Sequence, residues 1–141
     1  MKIKGEIQKG LNAASKYTYI KQIRYFKKYI PDIEEKYHKG TINLLLERPL
    51  IIFSPDIKTP PIEWETNCIE VFGFMKIKFE TVPSKPNMPL DAWIYIPYGS
   101  PHYANPFYKE IIAPTIRDLN GVEYCNIIIE KEVEEVKGIV I

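Results

Sequence analysis

Polar and apolar residues alternate along five segments of this chain and follow helical spacing in one other. Alternation predicts β-strands, because successive side chains of a strand point to opposite faces. The alternating segments span residues 2–8, 40–47, 68–82, 91–96 and 122–130. At least five strands and only one long helix indicate a mostly β fold, which we expect to be closed.

The helical segment is amphipathic. Its apolar positions are Tyr19, Ile20, Ile23, Phe26 and Ile30, with lysines and an arginine largely on the other side. Ser15 is a candidate for the residue that caps its N-terminus. Pro31 is expected to end it, since proline lacks the backbone N–H that the helical ladder needs. Residues 32–39 then read as a charged connection to the next strand.

The regions between the strands are rich in proline. Residues 54–66 contain three prolines and are predicted to form a surface loop. Gly73 interrupts the alternation of residues 68–82, as glycine does at a bulge or where the backbone approaches a neighbour closely. Residues 131–141 fit either a final strand or a tail.

Length and charge restrict the class of protein. At 141 residues the chain fits one domain with a real core. Its 19 basic and 18 acidic residues nearly cancel, which argues against a dedicated nucleic-acid binder. Cys68 and Cys125 form neither a disulfide framework nor a zinc motif, so we expect the protein to be located in the reducing cytoplasm. Without an apolar signal core or membrane span, we expect a soluble protein with no membrane partner.

One short run carries candidate chemistry. In a strand that includes Gly40-Thr41-Ile42-Asn43-Leu44, Thr41 and Asn43 share one face while Ile42 and Leu44 face the core. Two neutral oxygens that converge suit a hard cation such as Mg²⁺, which takes its other ligands from water and from a nucleotide's phosphates. The alternative interpretation is an ordinary strand that begins after a glycine.

Several motifs then occur in the order found in one enzyme family. They are Gly10 to Tyr17 with the amphipathic helix, Lys39-Gly40-Thr41-Ile42-Asn43-Leu44, Asp91-Ala92-Trp93-Ile94-Tyr95-Ile96-Pro97, His102-Tyr103, and Glu110-Ile111-Ile112-Ala113-Pro114. In these motifs the chain resembles the archaeal CTP-dependent riboflavin kinases, from Ile3 to about Glu130. The resemblance implies a single domain over residues 1–141, built as a small six-stranded cradle-loop barrel with one main amphipathic helix.

The resemblance also implies an activity and its residues. The expected reaction transfers the γ-phosphoryl group of CTP to the 5′-hydroxyl of riboflavin, giving FMN and CDP. Thr41 and Asn43 would hold the Mg²⁺ cofactor, and Glu110 would contact the flavin and accept a proton. Ser100 and His102 are further flavin-binding candidates. A solvated glutamate and a structural loop histidine are the alternatives at Glu110 and His102.

The nucleotide candidates lie in two places. Gly10, Ser15, Lys16 and Tyr17 occupy the position of the family's phosphate loop, and Thr115 and Arg117 follow the Ala-Pro motif. This chain has Asn12, Ala13, Ala14 and Ser15 where the family has several glycines, which let backbone N–H groups close around phosphates. A plain connection from strand to helix is the alternative for residues 10–17, and a surface arginine is the alternative for Arg117.

Two other classes of function stay open at this point. One is a non-catalytic relative of the family that binds a flavin or a nucleotide, which the missing glycines favour. The other is an interaction domain that uses exposed aromatic residues such as Trp64, Trp93 and Tyr98. The sequence carries no pattern that gives an oligomeric state.

Overall fold

A computed structural model describes residues 1–8, 12–52, 54–130 and 139–140, and for residues 12–17, 101–102 and 139–140 it describes the backbone alone. The helices are α1 (Asn12–Phe26) and α2 (Ile33–Lys36). The strands are β1 (Lys2–Ile7), β2 (Ile42–Leu46), β3 (Ile51–Ile52), β4 (Ile57–Lys58), β5 (Ile62–Glu65), β6 (Cys68–Glu70), β7 (Phe72–Val82), β8 (Leu90–Pro97), β9 (Tyr108–Ile112), β10 (Tyr124–Ile128) and β11 (Ile139–Val140). Short 3₁₀ turns span Pro101–Ala104 and Leu119–Gly121.

Six of these strands close into an antiparallel barrel. Going round the ring, β1 pairs with β2, β2 with β9, β9 with β8, β8 with β7, β7 with β10, and β10 with β1 again. Because β10 pairs on both sides, the sheet returns to its starting strand, which removes the exposed edges of an open sheet. The expected mostly β, closed six-stranded barrel with one main helix is therefore confirmed.

The barrel interior is filled by every second residue of its strands. The fully buried members include Ile3, Leu44, Met75, Phe79, Ala92, Ile94, Ile111, Cys125 and Ile127. Their spacing of two along each strand is the alternation that the sequence displays. Cys125 belongs to this core, and Cys68 is half-buried on β6; both are free thiols.

Gly73 allows a close approach and does not form a bulge. The ladder between β7 and β8 runs through it without a shift, since Phe72, Gly73 and Phe74 pair in turn with Pro97, Ile96 and Tyr95. A Cβ atom at Gly73 would lie 3.1 Å from the Tyr98 ring and 3.2 Å from Pro55. The missing side chain thus lets Tyr98 and the segment before β4 pack directly on β7.

Helix α1 covers the outer face of the barrel over β7, β8 and β9. Its buried residues Tyr19, Ile23 and Phe26 pack with Phe72, Phe74, Tyr95 and Ile112 in a second apolar cluster. Phe26 is the centre of this cluster, with edge-on contacts to Phe72 and Phe74 at centroid distances of 4.9 and 5.0 Å. Ile20, predicted to share this face, is 47% exposed because it lies about 100° round the helix from Tyr19.

The helix boundaries differ from those predicted. α1 begins at Asn12, so Ser15 lies inside its first turns and does not cap it. This early start is reasonable because alanine has the highest helix propensity, and Ala13 and Ala14 follow Asn12 directly. The helix ends at Phe26, before Pro31, and the connection over residues 32–39 contains the short helix α2.

The strand predictions also need correction in three places. Residues 54–66 are not a loop: they contain β4, which pairs with β7, and β5, which pairs with β6. Residues 68–82 form two strands, β6 and β7, which separate at Val71. The barrel strand β9 was missed altogether, and in the terminal segment Ile139 and Val140 form a strand paired with β3.

None of the helices in the described ranges combines the length and apolar character that crossing a bilayer requires.

We predict that Phe26→Ala destabilises the fold by about 3–5 kcal/mol, because it removes a fully buried ring that joins α1 to the barrel. The control is Phe107→Ala, at a ring that is 38% exposed, with an expected loss of less than about 1 kcal/mol. Chemical denaturation of both variants measures the difference. Equal losses would mean that α1 is not held through Phe26.

Candidate functional site

Three polar residues form a row across the outer face of the barrel. Asn43 on β2 is paired with Glu110 on β9, and Glu110 is paired with Tyr95 on β8. Residues directly opposite each other in a ladder share a face of the sheet, so their side chains project together. The row lies beside the apolar cluster under α1, to which Tyr95 belongs. This gives the barrel wall one polar strip beside the helix.

Thr41 and Asn43 converge as the sequence predicted. The Thr41 hydroxyl donates to Asn43 Oδ1 over 3.1 Å, and Asn43 is only 1% exposed. Two neighbouring ligands of an octahedral Mg²⁺ with metal–oxygen distances of about 2.0–2.1 Å lie about 2.9 Å apart, so the observed spacing fits this ion. In the described part of the chain no group of three or more His, Cys, Asp or Glu residues could hold a metal. A cation at this pair would therefore need further ligands from water or a bound molecule.

The residue that follows β1 contacts the backbone of this pair. The Gln8 N–H donates to the Asn43 carbonyl over 2.9 Å, so the end of β1 lies beside Asn43. Gly10, a predicted nucleotide-binding residue, lies outside the described residues. Ser15, Lys16 and Tyr17 belong to the first turns of α1, but their side chains also lie outside the description.

Glu110 is buried, which contradicts its interpretation as a solvated glutamate. It is 7% exposed, and burial, together with the neighbouring charge of Glu70, raises its pKa to about 7. Glu70 in turn accepts the Gly99 N–H over 2.9 Å, and burial raises its pKa as well. A carboxyl group in this state can accept or release a proton near neutral pH.

Tyr95 is held in place beside Glu110. Its hydroxyl donates to Gln22 Oε1 on α1, and its ring packs edge-on against Tyr19 at a centroid distance of 5.6 Å. Burial, followed by the charges of Glu110 and Glu70, raises the Tyr95 pKa well above its ordinary value. Tyr95 is therefore a neutral hydrogen-bonding group that ties the row to the helix.

A cavity opens in the barrel wall next to Glu110. The ladder between β8 and β9 ends at the Tyr95–Glu110 pair, although β8 continues to Pro97 and β9 begins at Tyr108. Where the two strands part lies a cavity of about 250 Å³, lined by residues of both strands, of β3 and of the 3₁₀ turn. Its size is close to the lower end of the about 300–1,000 Å³ of small-molecule sites.

Lys109 also lines this cavity and was not singled out from the sequence. It is paired with Leu44, whose side chain is in the barrel core, so Lys109 is on the inner face of β9 while Glu110 is on the outer face. Burial among apolar neighbours lowers its pKa to about 8. The alternation of Lys109 with Ile111 was the available sequence signal, but a strand at this position had to be recognised first.

The flavin-binding candidates Ser100 and His102 lie near the cavity rim. Ser100 precedes the 3₁₀ turn whose residues Tyr103 and Ala104 line the cavity, and its carbonyl accepts the Tyr103 N–H. Ser100 itself is half-buried and does not line the cavity. The His102 side chain lies outside the described residues.

Thr115 and Arg117 are exposed and lie apart from the cavity lining. The Thr115 hydroxyl is 3.3 Å from His38 Nδ1, and the His38 N–H donates to the Ala113 carbonyl, so Thr115 is near the chain that leads into β2 and Thr41. Arg117 contributes its carbonyl to the Lys85 ammonium at 2.8 Å.

The aromatic residues considered for an interaction surface are not exposed. Trp64 and Trp93 are half-buried against the cluster under α1, and Tyr98 is half-buried against the barrel core. The Trp93 ring N–H donates to the Tyr37 hydroxyl over 3.1 Å. These side chains serve packing, so the expected exposed aromatic surface is wrong for these three residues.

No model of a known protein family matches the chain, and no curated protein matches it either.

We predict that Glu110→Gln removes the loss of stability that the wild type shows between pH 4.5 and about pH 7. A pKa raised from 4.5 to about 7 means that Glu110 contributes most to stability below pH 4.5, and that this contribution is lost as the pH rises through 7. At 1.36 kcal/mol per pKa unit the loss is about 3 kcal/mol. Denaturation at pH 4.5 and pH 8 should therefore show Glu110→Gln close to the wild type at the lower pH and more stable at the higher pH.

The matched control is Glu47→Gln at an exposed glutamate, which should keep the wild-type pH dependence. If Glu110→Gln also keeps it, Glu110 is not the group that titrates in this range.

Proposed function

We propose that this protein transfers the γ-phosphoryl group of CTP to the 5′-hydroxyl of riboflavin, giving FMN and CDP in an Mg²⁺-dependent reaction. The observation that carries the proposal is the pair of oxygens of Thr41 and Asn43, 3.1 Å apart, on the same face as Glu110, which lines a cavity. This arrangement supports a cation at the oxygen pair, with Glu110 as proton acceptor between the cation and a ligand in the cavity. The identity of the two substrates follows the resemblance of the motifs.

The cavity suits the ring system of a flavin. Its walls are largely aliphatic, and Tyr103 and Tyr108 add aromatic rings on which a flat heterocycle can pack. With the ring between β8 and β9, the ribityl chain would extend towards Glu110 and the outer row. The hydroxyl to be phosphorylated would then approach the side of the barrel where Asn43 lies.

The transfer needs a proton acceptor and a fixed geometry. The hydroxyl oxygen forms a bond to the γ-phosphorus while the bond from that phosphorus to the β-phosphate oxygen breaks and CDP leaves. Glu110 would accept the hydroxyl proton, since it is the carboxylate nearest in register to the metal pair. Tyr95, held by Gln22, limits the space in which Glu110 moves.

Thr41 and Asn43 would hold the cation by one oxygen each. When bound, Mg²⁺ would neutralise the negative charge that spreads over the phosphoryl group during transfer. Asn43 is fixed for this role by its backbone, because its carbonyl accepts the Gln8 N–H while β2 pairs with β9 on the other side. Phosphates of the nucleotide would provide the ligands that the chain lacks.

The test of the proposal is incubation of the protein with riboflavin, Mg²⁺ and, separately, CTP, ATP, GTP or UTP, followed by chromatographic detection of FMN. We expect FMN with CTP, and none when Mg²⁺ is removed by chelation. Riboflavin binding without FMN from any of the four nucleotides would replace the kinase with a flavin-binding protein. Absence of both product and binding would refute the flavin assignment.

We predict that Asn43→Ala lowers turnover at least about 100-fold, the equivalent of about 3 kcal/mol of transition-state stabilisation, because it removes one of two metal ligands. Asn126→Ala is the matched control: its amide also projects from a barrel strand and donates to Glu80 over 3.1 Å, but on β10, away from the row. Steady-state kinetics should show nearly unchanged turnover for this control.

Because Asn43 is buried, Asn43→Asp serves as a second variant that keeps a ligand oxygen and the side-chain volume. We expect it to retain measurable Mg²⁺-dependent activity at raised Mg²⁺ concentration. Equal turnover in Asn43→Ala and the wild type would remove Asn43 from the metal site.

A further inference from the structure

The cavity between β8 and β9 is lined by a lysine that forms no ion pair with any residue that the structure describes. Lys109 lines it from the inner face of β9, where its register partner Leu44 and the neighbouring Ile94 and Ile96 are core residues. Among the residues that the structure describes, no carboxylate forms an ion pair with Lys109. Glu110 is adjacent in sequence but projects from the opposite face of the strand.

An ammonium that is half-buried in such surroundings loses hydration, which is costly unless a partner reaches it. The loss of hydration disfavours the charged form, and it is this loss alone that lowers the Lys109 pKa. A ligand that brings a negative charge into the cavity would restore the missing partner. An uncharged ligand of the same shape would leave the ammonium desolvated, and would gain only the apolar contacts.

The rest of the lining indicates the shape of such a ligand. Pro97, Pro106, Tyr103 and Tyr108 line the cavity where the two strands have parted. Planar rings pack well against surfaces of this kind. The cavity therefore combines an aromatic-binding wall with one cationic group at its inner side.

We infer that the cavity between β8 and β9 selects aromatic ligands that carry a negative charge, and that Lys109 is the residue that recognises this charge. The selection concerns the cavity alone and holds whether or not the chain transfers a phosphoryl group. Glu110 marks the end of the cavity where the charge is not expected, because its own carboxylate would repel it.

The experiment compares two fluorescent probes with the same ring skeleton. Anilinonaphthalene sulfonate carries one negative charge, and phenylnaphthylamine lacks the sulfonate and is neutral. Both are titrated at pH 6.5 into the wild type, into Lys109→Met, which keeps the length of the side chain without its charge, and into Lys109→Arg, which keeps the charge. Lys76→Met, at an exposed lysine outside the cavity, is the control for nonspecific charge effects.

We expect Lys109→Met to lower the affinity for the anionic probe about tenfold or more, as the loss of a hydrogen bond to a charged group does. The affinity for the neutral probe should stay unchanged. Lys109→Arg and Lys76→Met should keep the wild-type preference for the anionic probe. Equal affinity of Lys109→Met and the wild type for the anionic probe would overturn the inference. Equal weakening of both probes would overturn it too, because the lysine would then only shape the cavity.

Riboflavin as a competitor separates this inference from the proposed function. Displacement of the anionic probe by riboflavin would mean that flavin and probe share the cavity, in support of the proposed function, while the charge selection is judged from the two probes alone. A Lys109-dependent preference for the anionic probe without displacement by riboflavin would support the charge selection and count against a flavin in this cavity.

Discussion

The candidate site depends on how β9 is paired with its two neighbours. On one side the ladder with β2 sets Glu110 opposite Asn43, and on the other side the ladder with β8 sets it opposite Tyr95. The ladder with β8 then stops, while the ladder with β2 continues to Tyr108. One strand of five residues thus aligns the outer polar row and also opens the wall of the barrel, so both the row and the cavity follow from its register.

Packing of helix α1 on the barrel contributes to the raised pKa of Glu110. It covers β7, β8 and β9 through Phe26 and Tyr19, and it supplies Gln22 to the Tyr95 hydroxyl. Tyr95 lies beside Glu110 in the row, so the packing that fixes this ring also limits the water that reaches the carboxyl group. Burial is the first cause of the raised Glu110 pKa, and the charge of Glu70 adds to it. The same packing that stabilises the fold therefore changes the chemistry of a side chain at the site.

Alternation was enough to predict five of the six barrel strands and the shared face of Thr41 and Asn43, because both depend only on the two-residue period of a strand. It failed for β9, because the sequence Tyr108-Lys109-Glu110 followed by two isoleucines does not alternate between polar and apolar residues. It failed again in residues 54–66, where proline argues against a ladder but β4 and β5 are short enough to fit between the prolines. The burial of Glu110 and the partial burial of Lys109 could not be predicted from the local sequence, since they depend on what packs on each face of β9.

Lys109 and Glu110 are consecutive residues on opposite faces of β9, with the amine on the inner face of the barrel wall and the carboxyl group on the outer face. Replacement of a side chain elsewhere in β9 leaves this division intact. Insertion or deletion of a single residue would exchange the two sides, sending the carboxyl group inward and the amine towards Asn43. The length of this strand therefore matters more to the division between the two sides than the identity of its other residues.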